Sequence, residues 1–157
     1  MMRFMLLAAS VWLMAAAPVL PPGMATPVAH PYDETADAHA AVAAAFAQAR
    51  QTNRKVLLDF GGNWCPDCRM LAGVLEDPQV KQWTADKFII VMIDVGRFTK
   101  NLDIAAHWGV KVHAAPTVLM VTPDGKLLNG DDPFGLADAR SLSTQAAVDL
   151  LARMSRT

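Results

Sequence analysis

Asp59-Phe60-Gly61-Gly62-Asn63-Trp64-Cys65-Pro66-Asp67-Cys68-Arg69-Met70 decides the reading of this 157-residue chain, because it holds both cysteines. Upstream, Val56-Leu57-Leu58-Asp59-Phe60 is an almost unbroken apolar run, the pattern of a central strand covered on both faces. Gly61-Gly62-Asn63 is a flexible link, and Arg69-Met70-Leu71-Ala72-Gly73-Val74-Leu75 reads as a helix. A Cys-x-x-Cys that opens a helix after a strand and a tight turn puts its first sulfur at the helix N-terminus. Unpaired backbone N–H groups and the helix dipole favour a thiolate there. The second cysteine, one helical turn on, is close enough for a small-ring disulfide. Attack of a thiolate on another molecule's disulfide, followed by attack from the second sulfur, is thiol–disulfide exchange. Two cysteines at this spacing are otherwise half of a metal site or a local clip.

The same segment resembles the active-site segment of thioredoxins. It has an acidic residue, Asp59, six before the first cysteine, Trp64 just before it and basic Arg69 just after the second. Pro116-Thr117 stands where that family places its cis-proline, ahead of an expected strand Thr117–Val121. By element order the resemblance runs from about Ala36 to Met154. It implies an α/β thioredoxin fold, a mixed central sheet of about four strands flanked by helices on both faces. The activity implied is that of a protein thiol–disulfide oxidoreductase with no cofactor beyond its redox-active disulfide Cys65–Cys68, acting on protein thiols and disulfides. Cys65 takes the nucleophile's role and Cys68 resolves the mixed disulfide. On spacing alone Asp59 is a strand-end residue reaching water. The resemblance makes it instead a buried acid with a raised pKa that exchanges protons with Cys68. Trp64, Pro66, Asp67, Ala115 and Pro116 are assigned to substrate binding, the backbone of small Ala115 pairing with an extended segment of the partner. One departure is Gly73, standing five positions after the second cysteine, where family members often carry a proline.

Composition narrows the partners. The net charge is −1 and there is no basic stripe, which argues against nucleic acid. His30, His39, His107 and His113 show no spacing that completes a metal site, so no metal is assigned. The rival reading is a soft-metal, copper(I)-type binding module built on Cys65 and Cys68, which calls for a third ligand such as His113. A non-catalytic interaction domain would be marked by a missing cysteine, and both are present.

Met1-Met2-Arg3, an apolar run from Phe4 to Ala17 interrupted only by Ser10, and the breakers Pro18, Pro21, Pro22 and Gly23 form a secretory layout. Residues 1–25 are read as a signal peptide cut after Ala25, 26–35 as an extended lead-in with Pro27 and Pro31, and 36–157 as the thioredoxin-like domain. The alternative is an uncleaved membrane anchor, for which about 14 apolar residues fall short of the roughly 20 a span needs. An exported, periplasmic location is oxidising, so the resemblance implies a membrane-bound electron donor. Pro66 lacks an N–H for the thiolate, and an ionised Asp67 repels it, which points to a reducing couple.

The remaining elements follow from periodicity and caps. A helix is expected over Ala36–Gln51, with Val42, Ala45, Phe46 and Ala49 inward, Asp33 or Thr35 capping it and Asn53 ending it. Asp77-Pro78 starts a short helix through Trp83, and Lys87–Asp94 is a second strand. Gly96–Lys100 is a loop a few residues longer than in thioredoxins, and Asn101 caps a helix through Trp108, ended by Gly109. Thr122-Pro123-Asp124-Gly125 turns Thr117–Val121 into a hairpin with Lys126–Leu128. Ser141 or Ser143 caps the last helix, whose inward face is Leu142, Ala146, Leu150 and Met154.

Overall fold

Strand β1, Lys55–Gly61, is the axis of the fold: from Val56 to Gly61 every residue is withdrawn from solvent. The computed structural model describes residues 16–156; residues 1–15, with most of the expected leader's apolar run, lie outside the described residues, as does Thr157. β1 runs parallel to β2 (Phe88–Asp94), from Lys55 opposite Phe88 to Gly61 opposite Asp94. It runs antiparallel to β3 (Thr117–Val121), from Val56 opposite Val121 to Phe60 opposite Thr117. The parallel pair needs a crossover, and α2 (Pro66–Glu76) and α3 (Pro78–Ala85) supply it.

Strand alternation sorts the core into two layers. Leu57 joins Leu71, Val74 and Leu75 of α2, Val80 and Trp83 of α3, and Ala147, Val148 and Leu151 of α5 (Thr144–Met154). Val56, Leu58 and Phe60 face the other way, onto Ala45 and Ala49 of α1 (Ala38–Thr52) and Ile104 and Ala105 of α4 (Leu102–Ala106). Asp59 shares the parity of Leu57 and so points to the α2 side.

Several expectations are corrected in detail. Among the described residues the sheet has three strands, in the order β2-β1-β3, and not four. Lys126–Leu128 returns beside β3 but forms only an isolated bridge, Leu127 to Val121. Buried Asn129 then replaces further backbone pairing: its Oδ1 accepts from Met120 N at 2.8 Å and its Nδ2 donates to Val118 O at 2.8 Å. The cap of α1 is Asp37, which accepts from Ala40 N at 3.0 Å, because Asp33 and Thr35 bond to each other instead. On α1, Ala38, Ala45 and Ala49 are buried while Val42 and Phe46 are half-buried, Phe46 stacking on Trp108. Asn101 makes no cap; its amide turns back to Asp94 O at 2.8 Å, and α4 ends at Ala106. Ser143 caps α5, whose buried face is Ala147, Val148, Leu151 and Met154, one residue on from the expected Ala146 and Leu150.

Ahead of α1, residues 17–35 form a strap across the α2 side. Leu20 is buried in that core layer, and Gly23 O accepts from Thr144 N at 2.9 Å. Val28 N donates to Arg69 O at 3.0 Å, and Arg69 Nε returns a bond to Val28 O at 3.1 Å. Gly73 explains itself here. A Cβ on it would stand 2.1 Å from Thr26 O, so any side chain at this position expels the strap. Gly73→Ala is expected to cost about 2 kcal/mol despite alanine's better helix propensity. A lower melting temperature and faster proteolysis within 26–35, the part of the strap beyond the expected cut, are the readouts; an unchanged or raised melting temperature overturns the expectation.

Candidate active site

Cys65 is the N-cap of α2, in extended conformation, with Sγ receiving the N–H of Cys68 at 3.2 Å. Pro66 follows in the first helical turn, where a missing N–H costs nothing. Cys65 and Cys68 are disulfide-bonded, with Cα atoms 5.3 Å apart. Cys65 is 3 % exposed and Cys68 fully buried, so only the first sulfur has any access to a partner. The Ala115–Pro116 bond is cis, and Ala115 O lies 3.4 Å from Cys65 Sγ. Ala115 is half-buried and Pro116 buried, which brings both expected groove residues beside the sulfur pair.

Asp59 is completely buried, and neither carboxylate oxygen has a hydrogen-bond partner. Burial pushes its pKa from 3.8 up to about 7. Tyr32 was not singled out by the sequence, yet it belongs here. It packs with Cys65 and Cys68, is 3 % exposed, and its hydroxyl is likewise buried without a partner. Burial first, then the nearby Asp59 charge, hold the phenol far above its usual pKa. A Cβ on Gly61 would fall 2.4 Å from Tyr32 Oη and 2.6 Å from Cys68 Sγ, so only glycine lets these two groups converge. The available signal was slight: Tyr32 is the chain's single tyrosine, in an irregular segment next to Pro31.

Trp64 is held rather than free. Its indole N–H donates to Gly96 O at 2.5 Å, Phe98 packs edge-on at 5.7 Å, and the Arg97 guanidinium lies 5.1 Å above the ring. The long 96–100 loop therefore serves as a clamp on Trp64. Pro66 is exposed at the rim. Asp67, expected at the groove, is buried and turned to the other end of the chain. Its Oδ1 accepts from Arg140 N at 2.9 Å and Arg140 Nε at 3.1 Å, so a guanidinium compensates its charge. His113 is occupied by Lys111 O at 3.0 Å and by the Phe134 ring at 4.3 Å. Among the described residues no cluster of three metal-ligating side chains forms. A cleft of about 560 Å³ between α1, α4 and the Pro123–Gly125 turn contains none of these site residues.

A family model described as thioredoxin-like matches residues 37–123. A thioredoxin of Bacillus subtilis (strain 168) is 41% identical over 73 residues, which cover 46% of this chain and 62% of that protein. Thioredoxin H4 of Arabidopsis thaliana is 30% identical over 74 residues, covering 47% of this chain and 56% of that one. The matched stretch thus spans less than two thirds of these relatives' own lengths. Among solved structures, the disulphide isomerase from Xylella fastidiosa Temecula1 is 38% identical with a TM-score of 0.75, over 80% of this chain and 97% of that one.

Proposed function

This chain belongs to the thioredoxin-like family and has the thioredoxin fold, and we propose from that premise that it is an exported protein thiol–disulfide oxidoreductase working as a reductant. The observation that carries the reading is the sulfur pair at the start of α2, with Cys65 as N-cap facing the cis Ala115–Pro116 turn. In the reduced form the Cys65 thiolate attacks a disulfide of the partner protein, and the partner's other sulfur leaves as a thiolate. The Cys68 thiol then gives its proton to the Asp59 carboxylate as its sulfur attacks Cys65. The Cys65–Cys68 bond forms, the mixed disulfide breaks and the partner leaves with both sulfurs reduced. An acid with a pKa of about 7 suits both taking up and returning that proton. The Ala115 backbone receives the extended segment of the partner, Trp64 and Pro66 flank it, and Asp67 with Arg140 steadies the first turn of α2.

The reducing direction has support in the surroundings of Cys65. Among the described residues its sulfur has a single N–H donor, from Cys68; it is nearly buried and faces the Ala115 carbonyl oxygen. Burial and an acceptor disfavour a thiolate, and a weakly stabilised thiolate makes a less oxidising couple. The repulsion expected from Asp67 adds little, because Arg140 offsets it. Export rests on the charged, then apolar, then Pro-rich start of the sequence. No described helix is long and apolar enough to cross a membrane. A membrane-bound donor keeps the pair reduced in this scheme.

The test is the reduction potential of Cys65/Cys68, by equilibration with glutathione or dithiothreitol buffers. The expected value is near that of thioredoxin, about −270 mV. A value near −120 mV, roughly that of a strong periplasmic oxidant, overturns the direction. A value around −180 mV shifts the reading to an isomerase, the second reading, which the likeness to the Xylella protein favours. Absence of any reversible couple overturns the activity itself.

A further inference from the structure

The end of the strap is fixed by two anchors, one from the turn after β1 and one from the loop after β2. Asn63 grips the backbone of Tyr32 from both sides, accepting from Tyr32 N at 2.9 Å and donating to Tyr32 O at 3.0 Å. Lys100 donates to Glu34 O at 2.8 Å while paired with Asp94 at 2.5 Å. Both converge on the placement of one side chain. The Tyr32 ring packs with the cysteines, and its hydroxyl and Cys68 Sγ converge over Gly61, 2.4 and 2.6 Å from where a Cβ would stand. Asp59 and Gly61, two apart on β1, point to the same side, so the carboxylate lies under the same spot. In the disulfide form the hydroxyl and both carboxylate oxygens are buried without a hydrogen bond of full geometry, although the hydroxyl lies near enough to the carboxylate for the two to shift each other's protonation. Unpartnered polar atoms are costly, and three of them gather here around the sulfur that has to lose a proton.

We propose that Tyr32 is a positioning residue for the resolving half-reaction, its hydroxyl steering the Asp59 carboxylate toward the Cys68 thiol while its ring keeps water from that contact. The proposal rests on the exchange chemistry proposed above. Tyr32 keeps its own proton throughout, since burial and the Asp59 charge hold the phenol far above its usual range. It acts only as a donor. Donation to the carboxylate favours the charged form, which is the base; exclusion of water favours the neutral form. The other ionisable groups facing this spot are Cys65 and Cys68 from α2 and Asp94 at the end of β2, the last paired with Lys100. From β3, Val118 lies opposite Asp59.

Because the two contributions have opposite signs, two substitutions separate them. The full chain is reduced, Cys65 is converted to a mixed disulfide with thionitrobenzoate, and release of the coloured thiol by Cys68 is followed across a range of pH. Tyr32→Phe, which removes only the donor, is expected to raise the midpoint of the release profile by about half a pH unit or more. Below the midpoint, release then slows about threefold or more. Tyr32→Ala, which admits water, is expected to move the midpoint down. A Tyr32→Phe profile superimposable on the parent overturns the proposal, as do midpoints moving in the same direction in both variants. Chemical denaturation of each variant at both ends of the pH range confirms that it stays folded throughout, so that a pH-dependent loss of stability cannot imitate either result. Failure of the exchange reading looks different: the parent then shows no second release of thiol at any pH.

Discussion

Cys65→Ser is expected to lower catalysed disulfide reduction by at least about 10³-fold, because it removes the one sulfur that both reaches a partner and forms the covalent intermediate. Cys68→Ser is expected to fail differently. Cys65 can still attack, but the buried hydroxyl at position 68 does not displace the partner, and a stable mixed disulfide accumulates. Insulin reduction with dithiothreitol as electron source measures the first effect. Mass spectrometry and non-reducing electrophoresis of the protein with a disulfide-containing substrate measure the second. The asymmetry follows from the structure, where Cys65 caps the helix beside Ala115 and Cys68 lies fully buried behind it. Trapping by Cys65→Ser and turnover by Cys68→Ser would reverse the two roles.

Asp59→Asn carries the other large effect, and it joins stability to turnover. The folded protein holds the Asp59 proton with a pKa of about 7, against 3.8 for an ordinary aspartate. Between those values the native state binds more protons than the unfolded chain, so stability falls as pH rises. Below about pH 4 both states are protonated and the cost vanishes; above pH 7 it is present in full. Asparagine is neutral throughout. The variant is therefore expected to exceed the parent in stability at pH 8 by on the order of 4 kcal/mol, the gap closing as the pH falls toward 4. Disulfide release by Cys68 at neutral pH is expected to slow by about 10²-fold, as befits loss of a general base. Chemical denaturation of both proteins at several pH values is the check. Parallel stability curves would mean that Asp59 is not a buried acid.

What was legible in the sequence was local. The strand–turn–helix unit around Cys65 is written in one contiguous stretch, and β1, β2 and β3 stand out as short apolar runs. The burial of Asp59 could be read only with the help of the thioredoxin resemblance, because one carboxylate in an apolar run also suits a strand end. Long-range pairings were hidden. Asp67 meets Arg140 across 73 positions, and nothing in either local pattern marks the pair. Asn129 reads as a loop residue, yet its amide occupies the place of a strand's backbone beside β3. Tyr32 lies in a segment with no periodicity, so its burial depends on anchors at Asn63 and Lys100 that pattern reading does not connect to it.

The contact between Gly73 and Thr26 O also bears on how relatives diverge. A helix that carries proline at this point has a ring where this chain has empty space, and the space is what the strap occupies. The two features are alternatives, and a chain of this fold cannot hold both in the same way. In this chain, then, the missing side chain at position 73 is what lets the strap lie against α2 and carry Tyr32 to the sulfur pair.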